Sequence, residues 1–178
     1  MSLYAVTGAS GQLGRLAVQG LLARGIAASD IAAIVRDRSR ASDLAALGVQ
    51  LREADYTDPE TLVAALAGVS RLLLISSSSA DQRFAHHANA IGAAQAAGVT
   101  RIVYTGMLNS GNTTSPLAPD HEQTEKALRG SGVPFTSLRN GWYTENYTAQ
   151  LGQYLDSGVI LGAAGHGRIS AATRQDYA

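Results

Sequence analysis

Three glycines near the start of the chain have a spacing that suits phosphate chemistry. They are Gly8, Gly11 and Gly14, in the string Gly8-Ala9-Ser10-Gly11-Gln12-Leu13-Gly14. Between a strand and a helix, glycines in such a pattern cradle the pyrophosphate of a dinucleotide. Gly8 allows the tight turn out of the strand. Any Cβ at Gly11 would stand between the backbone and the phosphates. Gly14 lets the helix pack closely on the sheet. Ala9, Ser10, Gln12 and Leu13 complete the loop, and the helix start offers unbonded N–H groups and partial positive charge. The alternative is a turn with a structural role only.

The next candidate is Arg36, at the end of the second strand. An acidic residue there would bond the 2′-hydroxyl of NAD. A guanidinium instead fits a 2′-phosphate through paired N–H groups, and it cannot replace a carboxylate on a hydroxyl. NADP(H) is therefore the expected cofactor. NAD(H) comes into play if the strand runs one residue further and Asp37 takes the acidic role. A solvated charge run, Arg36-Asp37-Arg38, is the competing account. Asp55 ends the third strand, where a carboxylate accepts the exocyclic amine of adenine. It equally suits the N-terminal cap of the next helix. Ser76, Ser77 and Ser78 follow the fourth strand at the sheet edge where ligands bind. They line the ribose and nicotinamide, or form a plain serine-rich turn.

Reductases of this fold often carry Tyr-x-x-x-Lys, with Tyr as the acid. Lys126 invites that reading, but Glu122 stands four residues before it, so the usual proton donor is absent. Lys126 either reaches the ribose or nicotinamide, or pairs with Glu122 on a helix surface. After the sixth strand come Asn140, Gly141, Trp142, Tyr143, Thr144 and Glu145. Asn140 and the Gly141 backbone suit the nicotinamide, and Trp142 or Tyr143 suits stacking on a flat substrate. Core packing is the other account of Trp142 and Tyr143. The catalytic candidates are thus Lys126, Asn140 and Tyr143. His86 and His87 are adjacent on a helix and diverge by about 100°. They cannot share one metal, a solvated face is expected for them, and no metal site is expected.

The elements that must position these groups alternate along the chain. Strands are expected at 3–7, 31–35, 49–54, 71–76, 101–105 and 135–138. Helices are expected at 13–24, 39–47, 59–67 and 82–97, with another opening at Asp120 through a capping box to Gln123. The alternation predicts a Rossmann-type α/β fold, a doubly wound parallel sheet with helices on both faces. All 178 residues are read as one NAD(P)-binding domain. Ile169 to Ala172 reads as a strand, and Thr173-Arg174-Gln175-Asp176 as a capping box. A helix cut after one turn is not stable alone. A C-terminal portion is therefore expected to be missing.

Composition narrows the classes further. Lys plus Arg number 14 and Asp plus Glu number 14, so the formal net charge is zero. Without a basic stripe, no nucleic-acid partner is expected. The chain has no cysteine, which excludes disulfides, thiolate metal sites and Cys nucleophiles. No apolar run reaches ~18 residues, so no membrane span is expected. No secretory signal is visible, and a cytoplasmic location follows. Exposed apolar surface should favour self-association, a homodimer being the simplest form.

Several strings together resemble the NmrA-like, atypical short-chain reductases, and among them the NAD(P)H:quinone oxidoreductases of type 2. These are residues 6–14, 54–56, 72–78, 124–126, 138–147 and 162–165. The string at 138–147, Leu-Arg-Asn-Gly-Trp-Tyr-Thr-Glu-Asn-Tyr, is the most specific. The resemblance implies NADPH at Gly8–Leu13, Arg36, Ser76–Ser78 and Asn140–Glu145, and two-electron reduction of a small-molecule quinone. It also implies a longer protein, whose C-terminal lobe helps to form the substrate pocket. Triphenylmethane dye reductases are similar too, with a different string at 141–143. NmrA-like relatives that bind dinucleotide without turnover imply the alternative of a redox sensor.

Overall fold

The computed structural model describes residues 2–162 and 165–178. Six parallel strands form one sheet in the order β3-β2-β1-β4-β5-β6. They are β1 (Tyr4–Val6), β2 (Ile31–Val35), β3 (Gln50–Glu53), β4 (Arg71–Leu74), β5 (Arg101–Met107) and β6 (Phe135–Asn140). Each crossover carries a helix: α1 (Gln12–Ala23), α2 (Ser42–Ala46), α3 (Pro59–Ala65), α4 (Arg83–Ala96) and α5 (Ala118–Gly130). The strand order reverses between β1 and β4, and such a switch point opens a crevice at the C-terminal ends of the strands. The expected doubly wound sheet is present.

The alternation of side chains along each strand divides the core in two. From β2, Ala32 and Ile34 face one layer with Leu62, Leu66, Ala90 and Ile91 of the α3–α4 side. Ile31, Ala33 and Val35 face the other, with Ala17, Val18 and Leu44 of the α1–α2 side. Both faces of β2 are thus covered, which is why its five residues are apolar throughout.

Helix boundaries follow local chemistry. Asp58 caps α3 by accepting the N–H groups of Glu60 and Thr61, with Pro59 in the first turn. Gly48 ends the segment of α2 at φ +79°, a conformation that suits glycine. The expected capping box at Asp120 does not form. The helix α5 begins two residues earlier at Ala118, Pro119 sits in its first turn, and no side chain caps it. Proline lacks one of the N–H groups that a cap would satisfy. The Asp120 carboxylate instead pairs with Arg83 at 3.3 Å.

Beyond β6 the chain makes three elements that periodicity did not suggest: β7 (Trp142–Tyr143), α6 (Glu145–Thr148) and α7 (Leu151–Ser157). The strand expected at 169–172 shortens to β8 (Ala171–Ala172), which pairs in parallel with β7. The capping box at Thr173 is formed. Thr173 N–H donates to Asp176 at 3.0 Å, and Asp176 N–H donates back to Thr173 Oγ1 at 3.1 Å. The one-turn α8 (Arg174–Tyr177) is held by tertiary contacts, not by its own length. Its Arg174 N–H donates to the Glu145 carboxylate at 2.9 Å, and the helix packs against α1.

Candidate active site

A cavity of about 1050 Å³ opens at the C-terminal ends of the strands. It runs from the glycine loop past Arg36 to Asn140, Gly141, Trp142 and Tyr143. The loop at its base is shaped by close backbone approaches. Gly8 adopts φ +59°, and Gly11 N–H donates to Gly8 O at 2.9 Å. A Cβ on Gly14 would overlap Gly8 O and lie 2.6 Å from Ala9 Cα. Gly14 is therefore needed for packing against the loop itself, not against the sheet. Gly11 is the N-cap of α1 and brings no side-chain cap. The helix start thus turns uncapped N–H groups toward the cavity, which fits a pyrophosphate. Ser10, Gln12 and Leu13 line the cavity beside it, whereas Ala9 is buried and gives its N–H to Ile34 O.

Arg36 lines the cavity and makes no hydrogen bond or ion pair among the described residues. Asp37 is committed elsewhere, accepting the N–H of Ser39 at 2.9 Å and its hydroxyl at 2.6 Å. That contact caps the turn after β2, and Asp37, unlike Arg36, is not among the residues that line the cavity. Asp55 also lines the cavity. Its carboxylate accepts the N–H and hydroxyl of Thr57 at 2.8 and 2.7 Å, which hold its pKa below the usual carboxylate range. Because Asp58 caps α3, Asp55 is not the cap.

The loop after β4 leaves the ladder, yet side chains take up its N–H groups in turn. Ile75 N–H donates to Thr7 Oγ1 at 3.0 Å, Ser76 N–H to Thr105 Oγ1 at 2.9 Å, and Ser77 N–H to His87 Nε2 at 2.9 Å. Ser76, Ser77 and Ser78 line the cavity wall that results. His87 is therefore fully buried, which corrects the expectation of a solvated face. Burial pushes its pKa down to about 3. His86 is half-buried and faces Ser77 Oγ at 2.8 Å. Among the described residues no cluster of His, Asp and Glu could hold a metal ion.

At the far end, Asn140 Nδ2 donates to Tyr143 Oη at 3.1 Å. The Arg174 guanidinium lies over the Tyr143 ring at 4.5 Å. Trp142 lines the cavity and is 44% exposed. Thr144 and Glu145 do not line it. Thr144 N–H donates to Ala172 O, and Glu145 holds Arg174. Lys126 lies apart as well, exposed beside Phe84, Gln123 and Ala127. Its expected pairing with Glu122 is not formed among the described residues. The charge cluster on α5 belongs to buried Glu125, which holds Arg139 at 2.7 Å and Arg129 at 3.1 Å.

Residues 8–172 match the NAD(P)H-binding family. The chain belongs to that family. It is 50% identical over 176 residues to quinone oxidoreductase 2 of Escherichia coli, covering 99% of this chain and 61% of that protein. The crystal structure of the NADPH-dependent quinone oxidoreductase of Escherichia coli complexed with NADPH superposes with a TM-score of 0.92. That match has 50% identity and covers 98% of this chain and 62% of that one. The triphenylmethane reductase of Citrobacter sp. complexed with NADP(H) also has a TM-score of 0.92, at 44% identity over 98% of this chain and 62% of that one. The chain thus spans about three fifths of the length of these relatives.

For an NAD(P)H-binding domain, several cavity residues escaped the sequence reading. Arg40 lines the wall with Arg36. The alternating Arg36-x-Arg38-x-Arg40 was its only signal. Thr105, His121, Arg168 and Arg174 line the cavity too. His121 had none, since one histidine on an otherwise charged helix reads as surface. No helix among the described residues is long and apolar enough to cross a membrane.

Proposed function

We propose that this chain binds NADPH and serves the two-electron reduction of a small-molecule quinone. The observation that carries this reading is one continuous cavity, from the glycine loop and Arg36 at one end to Asn140 and Trp142 at the other. The 50% identity to the Escherichia coli quinone oxidoreductase supports the choice of acceptor.

Gly11 and the uncapped start of α1 bind the pyrophosphate. Arg36, with Arg40 on the same wall, takes the 2′-phosphate, and Asp55 takes the adenine amine. NADH is a weaker ligand, because a lone guanidinium gains little from a hydroxyl. The ordered Ser76–Ser78 backbone flanks the ribose and nicotinamide. Asn140, its amide fixed by Tyr143, orients the carboxamide, and Trp142 offers a face to a flat acceptor. When bound, the cofactor supplies the hydride. The chain supplies position and a dry wall, and holding reacting atoms at ~3–3.5 Å is most of what such a transfer needs. A quinone is already electrophilic and its hydroquinone is acidic, so a strong general acid is not required. That suits the missing tyrosine before Lys126. A cytoplasmic protein completes the reading, self-associating as a homodimer through exposed Leu155, Ile160 and Leu161.

The test is NADPH oxidation at steady state with a benzoquinone as acceptor. Oxidation should require both protein and quinone, and run faster with NADPH than with NADH. Tight NADPH binding without quinone-dependent oxidation would overturn the reductase reading and leave a dinucleotide sensor.

A further inference from the structure

Four side chains from three elements form a buried polar set beside the cavity: His87 on α4, His121 and Thr124 on α5, and Tyr104 on β5. Each contact has a direction, and one backbone group fixes that of His87. Ser77 N–H is a donor and nothing else, so His87 Nε2 accepts. Fully buried and neutral, His87 then carries its proton on Nδ1 and donates it to Thr124 Oγ1 at 2.8 Å. The Thr124 hydroxyl proton goes to Asp120 O at 2.7 Å. Tyr104 Oη lies 3.5 Å from His87 Nδ1, on the proton-bearing side of that ring, and 2.6 Å from His121 Nδ1, its shortest contact, to which its proton is assigned. A neutral His121 is left with its proton on Nε2.

That Nε2–H has no partner among the described residues. His121 is only 7% exposed, yet its ring lines the cavity with Thr105, Leu117 and Asn140. Tying two helices to a strand accounts for His87, Thr124 and Tyr104. It leaves the other ring nitrogen of His121, away from Tyr104, as the group this residue can offer to the cavity it lines.

We propose that His121 holds the reducible oxygen of the acceptor through Nε2–H, and that Tyr104 is the positioning residue that fixes its tautomer. The acceptor's identity rests on the quinone reading; the hydrogen bond to an oxygen does not. Hydride delivered to one quinone oxygen would form its O–H bond, the ring would become aromatic, and the displaced electron pair would collect on the opposite oxygen as a phenolate. His121 donates a hydrogen bond to it and keeps its proton, and the phenolate takes a proton from water as it leaves. A neutral imidazole in this role stabilises developing charge without changing its own. Burial and nearby Arg83 both lower the pKa of His121, outweighing Asp120 and Glu125, so the ring stays neutral for the task.

The probe is 4-nitrophenolate, which carries one phenolate oxygen and reports its environment by absorbance. Wild-type chain should bind it, His121→Ala at least tenfold more weakly, and His121→Gln within about threefold, because Gln restores an N–H. The ¹⁵N spectrum of the wild-type His121 ring should show the Nε2–H tautomer, and Tyr104→Phe should lose it. With benzoquinone, His121→Ala should cut kcat about 10²-fold, typical of losing one such donor, with NADPH affinity unchanged. No nitrophenolate binding by the wild type, equal binding by His121→Ala, or an Nδ1–H ring would overturn the proposal. Nitrophenolate binding that depends on His121, without quinone turnover, would instead leave it standing and remove the quinone reading.

Discussion

The backbone N–H of Ser77 donates to Nε2 of His87 at 2.9 Å, joining the loop after β4 to the buried face of α4. The same imidazole donates to Thr124 on α5. Replacing His87 by Leu keeps the bulk but strands the Ser77 N–H, whereas Thr124 keeps its bond to Asp120 O. An unsatisfied group of this kind costs about 1–3 kcal/mol. His87→Leu should therefore lower the urea midpoint clearly, and lower NADPH affinity because the Ser76–Ser78 wall loosens. An unchanged midpoint would show that the loop is held by other contacts.

The same residue sets a pH dependence. Unfolded, His87 titrates near 6.5; folded, burial holds it neutral down to about 3. Between those values the unfolded chain binds more protons, so stability rises with pH. The contribution is fully present above pH 6.5 and is lost as pH falls toward 3. His121 shifts in the same direction. The limiting slope for one group is about 1.4 kcal/mol per pH unit. Urea midpoints at pH 7.5, 6.5 and 5.5, above the carboxylate range, should fall more steeply for wild type than for His87→Leu. Parallel curves would mean that His87 is protonated in the folded chain.

In the proposed reading, cofactor choice turns on Arg36, which lines the cavity where Asp37 does not. Arg36→Ala should weaken NADPH by roughly 1.5–3 kcal/mol, the range for a hydrogen bond to a charged group, and leave NADH nearly unchanged. Arg40→Ala should show a smaller loss of the same kind. Calorimetric titration with each nucleotide separates them, and an equal loss for both nucleotides would place Arg36 away from the 2′-phosphate.

The layered sheet was legible in the sequence because its signals are local. The apolar run at 31–35, Asp58 before Pro59, and Gly48 after a short helix each act within a few residues. The glycine loop was legible for the same reason, although Gly14 meets loop backbone, not the sheet. His87 was misread because its partner lies on a loop ten residues upstream, and adjacency to His86 suggested a single polar face. The motif spacing at Lys126 brings a lysine to a cofactor only when the helix turns that face to the cavity. Here His121, Thr124 and Glu125 take the inward face and Lys126 faces out. The elements β7, α6 and α7 carry no clean period, and α6 depends on Glu145 meeting Arg174, 29 residues away.

Lys126 gives a contrasting prediction. It stands in the shallow site with Phe84 and Gln123, not in the cavity. Lys126→Ala should leave NADPH affinity and quinone turnover within about twofold of wild type, and stability within the ±0.5 kcal/mol usual for a surface change. A tenfold fall in turnover at unchanged affinity would show that the helix turns Lys126 inward when substrate binds.

The last prediction concerns Gly141 and Tyr177, which bring the one-turn helix α8 to the site. Gly141 N–H donates to Tyr177 Oη at 3.0 Å, and a Cβ on Gly141 would lie 2.9 Å from that same oxygen. The Tyr177 ring meets Tyr143 edge-on at 5.4 Å, and Tyr143 fixes the Asn140 amide. Tyr177→Phe keeps the ring and removes the acceptor. Gly141→Ala keeps the acceptor but pushes it away. Both break one hydrogen bond, so each should cost about 1 kcal/mol in stability and a few-fold in NADPH affinity. Because they break the same bond, the double variant should cost no more than the costlier single one. Midpoints and affinities for all four proteins complete the cycle. Additive losses would mean that Gly141 and Tyr177 act on the site separately, and that α8 does not steady Asn140 through this contact.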